Sequence, residues 1–356
     1  MKIGNMNMER KLISAPMADV SDSSFRKICK EHGAGLTFTQ MISAKGVIEN
    51  NFDTLRLLAF SRDEKPVGVQ VLGSDPGIIR EGVSEIAKFK PDVIDLNSGC
   101  PIDKVTKYNM GACILDDKIL LGRIVRAMVD GSKGIPISVK IRLGKDADNI
   151  NILENAKIVE DNGASLLTIH TRTRKEKYYE PAHWEWLRKI KESVQIPIVG
   201  NGSIFNIKDA EKMINETNCD GVMVARGALG NPFIFSRFNS YIDTGIDPGD
   251  PDILTVNQVL LKHLKYIKEE YGEFIGIKHA KKNIIWYFRN FNGISKIIEK
   301  IFAIKEYAGL LELVSDFVQN SQKGIYEPEN FEEINRKFLI KVLFWLPDAD
   351  IDIKVS

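Results

Sequence analysis

Apolar residues gather in short unbroken runs over the first two-thirds of the chain, each followed by a longer stretch of helical character. The runs are Leu12 to Ala15, Gly35 to Thr39, Val67 to Leu72, Val93 to Leu96, Ile137 to Ile141, Leu166 to His170, Ile196 to Val199 and Gly221 to Ala225. Without strict alternation, they fit parallel strands covered on both faces. Eight such strands alternating with helices predict an α/β protein, a (β/α)8 TIM barrel. A doubly wound open sheet would also alternate, but no G-x-G-x-x-G follows the first run.

Polar residues follow most of the runs: Pro16-Met17-Ala18, Gln40-Met41, Gln70, Asn97 to Cys100, Lys140 and Arg142, His170 to Arg174, Asn201-Gly202-Ser203 and Arg226-Gly227. In a closed barrel they converge on one mouth. After Asn231-Pro232 the pattern changes. Asp243 to Pro251 is rich in Gly, Pro and Asp and reads as a linker, and Thr255 to about Asn320 shows helical periodicity with few strand signals. The expected organisation is a barrel over 1–242, a small all-α domain over 252–320 and a tail over 321–356. The tail's apolar run, Phe338 to Leu346, is expected to pack on the helices or on a partner.

Composition narrows the picture only a little. The 356 residues are 44% hydrophobic and 27% charged, with net charge +1, so a polyanion site must come from local clustering. One such cluster is Lys278, Lys281, Lys282 and Arg289 beside Trp286, Tyr287 and Phe288. Its plain reading is a core stripe with a solvated charged face. Four cysteines (Cys29, Cys100, Cys113, Cys219) lie far apart with no C-x-x-C pair, which argues against a disulfide framework or a metal site. The chain opens on a short polar arm without a signal peptide's apolar region. A cytoplasmic monomer with reduced thiols and no membrane association is expected.

Three groups could carry chemistry. Cys100 lies between Gly99 and Pro101 just past a strand end. With an ordinary pKa of about 8.5 its thiol is mostly protonated at neutral pH and can donate a proton without activation. The other cysteines read as small buried hydrophobes. Second, Asn201-Gly202-Ser203 and Ala225-Arg226-Gly227 follow the seventh and eighth runs, where barrels commonly bind phosphate. Third, Gln70, Lys140 and His170 end the third, fifth and sixth runs. A lysine ending an apolar strand is costly to bury unless it faces an anion, and the alternative is a structural ion pair with Asp95.

With these residues in view, the chain resembles the tRNA-dihydrouridine synthase family of FMN-dependent enzymes, in its bacterial type. The resemblance rests on Asp95-Leu96-Asn97-Ser98-Gly99-Cys100-Pro101 continuing through Lys104-Val105 to Gly111-Ala112 and Leu115. It extends to Ala15-Pro16-Met17, Val139 to Gly144, His170 to Arg174 with Tyr178, Asn201-Gly202, Val222 to Gly227 with Gly230-Asn231-Pro232, and Trp286-Tyr287. It covers about residues 10 to 320 in order.

The resemblance implies an FMN-binding barrel followed by a helical tRNA-binding domain, with NADPH as electron donor. Pro16, Met17 and Ala18 would line the flavin ring, and Gln70, Lys140 and His170 would bond to it. Asn201, Gly202, Ser203, Ala225, Arg226 and Gly227 would hold the phosphate. Reduced FMN would pass a hydride to C6 of uracil, and Cys100 would give a proton to C5. Asn97, Lys104, Arg142, Arg172, Arg174, Lys281, Lys282 and Arg289 are the expected contacts to an everted uridine and its tRNA backbone.

The chain departs from the family pattern at Asn109, where Gly is common and where Asn tolerates positive φ. It departs also at Gln40, where an acid is common, and at Lys281-Lys282-Asn283, where Arg-Lys-His is usual. Two other functions stay open on the sequence. One is an FMN barrel acting on a free pyrimidine, in the manner of dihydroorotate or dihydropyrimidine dehydrogenases. The other is an RNA-binding protein that uses the barrel as a scaffold without turnover.

Overall fold

In the computed structural model, which describes residues 1–334, the apolar runs become strands. In chain order they are β1 (Leu12–Ser14), β2 (Thr37–Phe38), β3 (Val67–Leu72), β4 (Val93–Ser98), β5 (Ile137–Arg142), β6 (Leu166–His170), β7 (Ile198–Asn201) and β8 (Gly221–Val224). They pair in parallel in the order β1-β8-β7-β6-β5-β4-β3-β2, with a short Ile42–Ser43 segment also lying along β3. The ends of this path meet. Gly35 N donates to Leu12 O (2.8 Å) and Ser14 N to Leu36 O (2.9 Å), which closes the sheet into a barrel.

Helices follow the strands, beginning with α1 (Ser23–Glu31), α2 (Ala44–Ile48), α3 (Phe52–Leu58) and α4 (Pro76–Ala87). Next come α5 (Asp103–Thr106), α6 (Lys118–Gly131), α7 (Ile152–Asp161), α8 (Glu185–Ser193) and α9 (Ile207–Thr217). Local sequence dictates their starts: Asp75 accepts from Ile78 N ahead of Pro76 at the first turn of α4, and Asn206 with Asp209 forms a capping box on α9. Helix α6 buries Leu121, Ile124, Val125 and Met128, one face at 3.6-residue spacing.

The barrel interior changes character along its axis. Toward the strand N-termini it is apolar, with Ile13, Phe38, Val93, Leu166, Val199 and Met223 in one cluster. Gly68 makes room there, since a Cβ would stand 2.3 Å from the Phe38 ring. The polar arm expected at the N-terminus is instead a hairpin, Lys2–Ile3 against Met6–Asn7, whose Ile3 and flanking Met8 are buried in this cluster. Its apolar residues Met1, Ile3, Met6 and Met8 fall out of step at Gly4-Asn5, too weak a periodicity over so short a stretch to show it.

The chain divides into two compact units, Met1–Gly227 and Ala228 onward. The division comes earlier than the 242/252 boundary read from the sequence, because α10 (Phe233–Thr244) groups with the second unit. That unit continues with α11 (Ile253–Phe288), α12 (Ile294–Ala303) and α13 (Tyr307–Gln322) around a core of Leu260, Leu264, Ile284, Phe288, Ile297 and Phe317. Gly272, at φ 68° and ψ 179°, breaks α11 into two helical stretches. The expected linker is pinned within the unit: Arg237 Nε and Nη2 bond the Asp247 carboxylate (3.0 and 2.7 Å), and Nη1 bonds Asp250. The tail run Phe338 to Leu346 lies outside the described residues.

Candidate active site

The register of the strands places the polar residues side by side. Gln70 of β3 pairs with Asp95 of β4, which pairs with Ser138 of β5. One step along, Asn97 pairs with Lys140 and Lys140 with Thr168, and at the rim Arg142 pairs with His170 and His170 with Asn201. In-register neighbours share a face, so these side chains form rows on the inner face above the apolar cluster. This is the C-terminal mouth, where barrels assemble their chemistry.

Cys100 stands at the end of β4. Asn97 Oδ1 accepts from both Gly99 N (3.2 Å) and Cys100 N (3.0 Å), so the turn is built around one side-chain oxygen. From the other side Ala112 N donates to Cys100 O (2.9 Å). Gly111 permits this return at φ 62°, since a Cβ would stand 2.6 Å from Cys100 O. Asn109 in the same loop adopts φ 55°, the left-handed conformation expected from its place in the sequence. Cys100 is half-buried, and burial pushes its thiol above the usual range, so it is protonated at neutral pH. Arg142 Nε donates to Gly99 O (2.8 Å) and Nη1 to Thr173 O (2.6 Å), bracing the turn against the loop after β6.

The ion pair of Lys140 with Asp95, one sequence alternative, is not what forms. Asp95 accepts from Gln70 Nε2 (2.7 Å) and Ser138 Oγ (2.6 Å), while Lys140 Nζ donates to Asn201 Oδ1 (3.2 Å). Burial raises the Asp95 carboxyl to about 6 and lowers Lys140 to about 8, the second with help from the Arg142 charge. Asn201 has its orientation fixed, because its Nδ2 donates to Met223 O (2.8 Å), which can only accept. Its Oδ1 therefore faces His170 Nδ1 (2.8 Å), making that nitrogen the donor. Burial, then the charges of Arg142, Lys140 and Arg172, hold His170 well below its ordinary pKa and hence neutral.

Beyond β7 the backbone turns through Gly202 (φ 131°) and Ser203 (φ 56°). Arg172 Nη2 donates to Ser203 Oγ (2.7 Å) and Nε to Glu180 O (2.9 Å). Arg226, after β8, donates to Tyr178 O (2.8 Å) and lies over the rings of Tyr178 and Phe205. Burial, then the charges of Arg226 and Arg142, bring Arg172 down to about 10, and burial lowers Arg226. Cations that disfavour one another at close quarters form a site for an anion, and a phosphate among them would reverse that cost. The residues thus fit a phosphorylated cofactor: a positive-φ turn with two arginines at the ends of β7 and β8, and Lys140 with a neutral His170 further in.

The mouth gathers the expected Gln70, Asn97, Cys100, Lys140, Arg142, His170, Arg172, Asn201, Gly202, Ser203, Ala225, Arg226 and Gly227 at neighbouring strand ends. Pro16, Met17 and Ala18 lie half-buried after β1, where Ser21 Oγ accepts from Met17 N (2.8 Å) and Gln40 Oε1 accepts from Asp19 N (2.6 Å). Arg142 and Arg172, expected among the contacts to the uridine and its tRNA, are 2% and 1% exposed and brace loops through carbonyls. Arg174 reaches Asp116 (2.9 Å), and Lys104 is exposed on α5.

Lys281, Lys282 and Arg289 belong to the second unit. Lys281 Nζ donates to Phe302 O (2.9 Å), whereas Lys282 is buried with its ammonium 5.7 Å from the Trp286 ring centroid, not on a surface as a phosphate contact requires. Arg289 keeps part of its surface exposed, though burial of the rest lowers it to about 10. Sequence reasoning missed the parts played by Asp95 and Ser138. The available signal was an acid inside the apolar run Val93-Ile94-Asp95-Leu96, which must have partners when buried.

Comparison with known proteins adds to this geometry. Residues 13–322 match the model of the family described as dihydrouridine synthase (Dus). A probable tRNA-dihydrouridine synthase of Rickettsia conorii is 35% identical over 312 residues, 86% of this chain and 94% of that protein. The tRNA-dihydrouridine synthase B of Pasteurella multocida is 32% identical over 321 residues, 87% and 96% of the two. Among solved structures, a variant of NCR from Zymomonas mobilis superposes with TM-score 0.52 at 12% identity, covering 72% of this chain and 93% of that one. Histamine dehydrogenase from Rhizobium sp. 4-9 gives 0.54 at 15% identity, over 74% of this chain and 50% of that one. At such identities these two likenesses speak for the fold alone.

Proposed function

This chain belongs to the dihydrouridine synthase family, and on that premise we propose that it is an FMN-dependent oxidoreductase that reduces the C5–C6 double bond of uridine in tRNA, with NADPH as the electron donor. The observation that carries the reading is the placement of Cys100: a protonated, half-buried thiol at the end of β4, on a turn whose two backbone amides donate to Asn97 Oδ1, beside a row of polar groups ending in a cationic phosphate cradle.

FMN, when bound, supplies the hydride. The chain's own residues do the rest. Gly202, Ser203, Arg172 and Arg226 hold the phosphate, while Lys140 stabilises negative charge on the cofactor ring and His170, kept neutral, offers no competing charge. Gln70, with one Nε2 hydrogen committed to Asp95, orients the ring through the other, and Pro16, Met17 and Ala18 cover it. Cys100 Sγ gives its proton to C5 of the uracil, a role open to a thiol that burial keeps protonated. Lys104 and Arg174 are the cations of this unit that meet the tRNA backbone, and Lys281 and Arg289 those of the second unit.

No helix among the described residues is long and apolar enough to cross a membrane. The test is direct. Purified protein should release one FMN per chain on denaturation and, with NADPH, should convert uridine to dihydrouridine in tRNA lacking the modification, read by mass spectrometry of nucleosides. A colourless protein that FMN cannot reconstitute would leave the scaffold alternative, and reduction of free uracil in place of tRNA would leave the free-pyrimidine one.

A further inference from the structure

Asp95 lies inside the barrel, 1% exposed, and touches neither the mouth loops nor Cys100. Its two oxygens nevertheless begin a chain of side-chain hydrogen bonds that ends on the cysteine turn. Gln70 Nε2 donates to Asp95 Oδ2 (2.7 Å), Asn97 Nδ2 donates to Gln70 Oε1 (2.8 Å), and Asn97 Oδ1 accepts from the amides of Gly99 and Cys100 (3.2 and 3.0 Å). Ser138 Oγ donates to Asp95 Oδ1 (2.6 Å) and holds the carboxylate from the far side.

The direction of this chain is set by chemistry at both ends. An ionised carboxylate only accepts, and a backbone N–H only donates. Between them the two amides can be arranged in one sense. If Gln70 turned over, its carbonyl would face the carboxylate, and Asn97 would have to turn with it and point its NH2 at two N–H groups. Both junctions would become repulsive in a buried setting where unmet polar groups are most costly. The register prepares the chain, since Gln70, Asp95 and Ser138 are direct neighbours on three adjacent strands.

We propose that Asp95 is a positioning residue for Cys100: it fixes the amide of Gln70, through it the amide of Asn97, and through that the height and orientation of the thiol at the mouth. This rests on the reading above only in taking Cys100 as the group that does the chemistry. The relay itself is a claim about how the turn is held, and acts on the thiol whether or not a cofactor is bound.

The test reads the thiol directly. Holoprotein is alkylated with iodoacetamide at fixed pH and the rate at Cys100 followed by peptide mass spectrometry, with the half-buried Cys113, off the relay, as internal reference. Asp95→Leu removes the acceptor, so the turn loosens and Cys100 should react at least fivefold faster while Cys113 holds its rate. Asp95→Asn should stay within twofold of the native rate, because its carbonyl can accept from Gln70 while its NH2 meets Ser138 Oγ. Should Asp95→Leu fail to fold, the smaller Asp95→Ala carries the same expectation.

With tRNA and NADPH the apolar variants should lose at least tenfold in kcat with KM for tRNA within twofold, and Asp95→Asn should restore it. Equal Cys100 rates in native and apolar variants, or an Asn variant as perturbed as the Leu one, would overturn the proposal. A native protein that makes no dihydrouridine but shows the rate difference sinks the functional reading and leaves the relay standing.

Discussion

The two sides of the barrel mouth treat polar groups in opposite ways. Along β3 to β5, Gln70, Asp95, Asn97 and Ser138 meet one another donor to acceptor, and the net result is a turn held in one arrangement. Along β6 to β8, Arg172 and Arg226 crowd a positive-φ turn, where burial lowers the pKa of both and the Arg226 charge lowers that of Arg172 further, with Lys140 bonded to Asn201 beside them. A network satisfied from within serves orientation, whereas a charge excess left standing serves capture. One inner face thus carries a hydrogen-bonded side that fixes the cysteine turn and a cationic side suited to an anion.

The largest effect should come from the hydrogen-bonded side. Cys100→Ala is expected to cut dihydrouridine formation by about 10²- to 10⁴-fold, the range of a general acid, and to leave FMN affinity within twofold in a fluorescence-quenching titration. Loss of FMN along with product would show that the two sides are not separable. The reciprocal change on the cationic side is smaller. Arg226→Ala should weaken FMN binding by roughly 10- to 100-fold, the worth of one hydrogen bond to a charged group, while Cys100 keeps its native alkylation rate.

Smallest is the effect of pH on capture. Lys140 without a ligand titrates at about 8, chiefly because it is buried. A bound anion favours its charged form and raises that value, so FMN affinity should be flat below about 8 and fall as pH rises above it, by no more than about tenfold per unit. Lys140→Met should remove the break in a titration run from about pH 7 to 9.5. A break that persists in the variant belongs to another group.

Much of this arrangement was legible in the chain, and the part that was not has a physical reason. The strands announced themselves because both their faces are buried, so Val67 to Leu72 and Leu166 to His170 emerged with the boundaries their hydrophobicity implies. The seventh strand slid to Ile198–Asn201 because Pro197 has no N–H for the ladder and Asn201 pairs with Met223. Cys100 was conspicuous between Gly and Pro. Arg142, Arg172 and Lys282 were not, because composition shows a charge but not which carbonyl or ring covers it. Asp95 fell between the two cases: its strand was evident, and its partners became visible only with the register.

His170 carries a consequence of its own. Imidazole is the side chain most apt to change charge between acidic and neutral conditions, yet burial, then the charges of Arg142, Lys140 and Arg172, hold this one's pKa well below its ordinary value. The positive charge of the pocket therefore resides in guanidinium groups and one ammonium, which keep it as the surroundings acidify. Asp95, its carboxyl raised by burial to about 6, is instead the group through which modest acidification would reach the inner face.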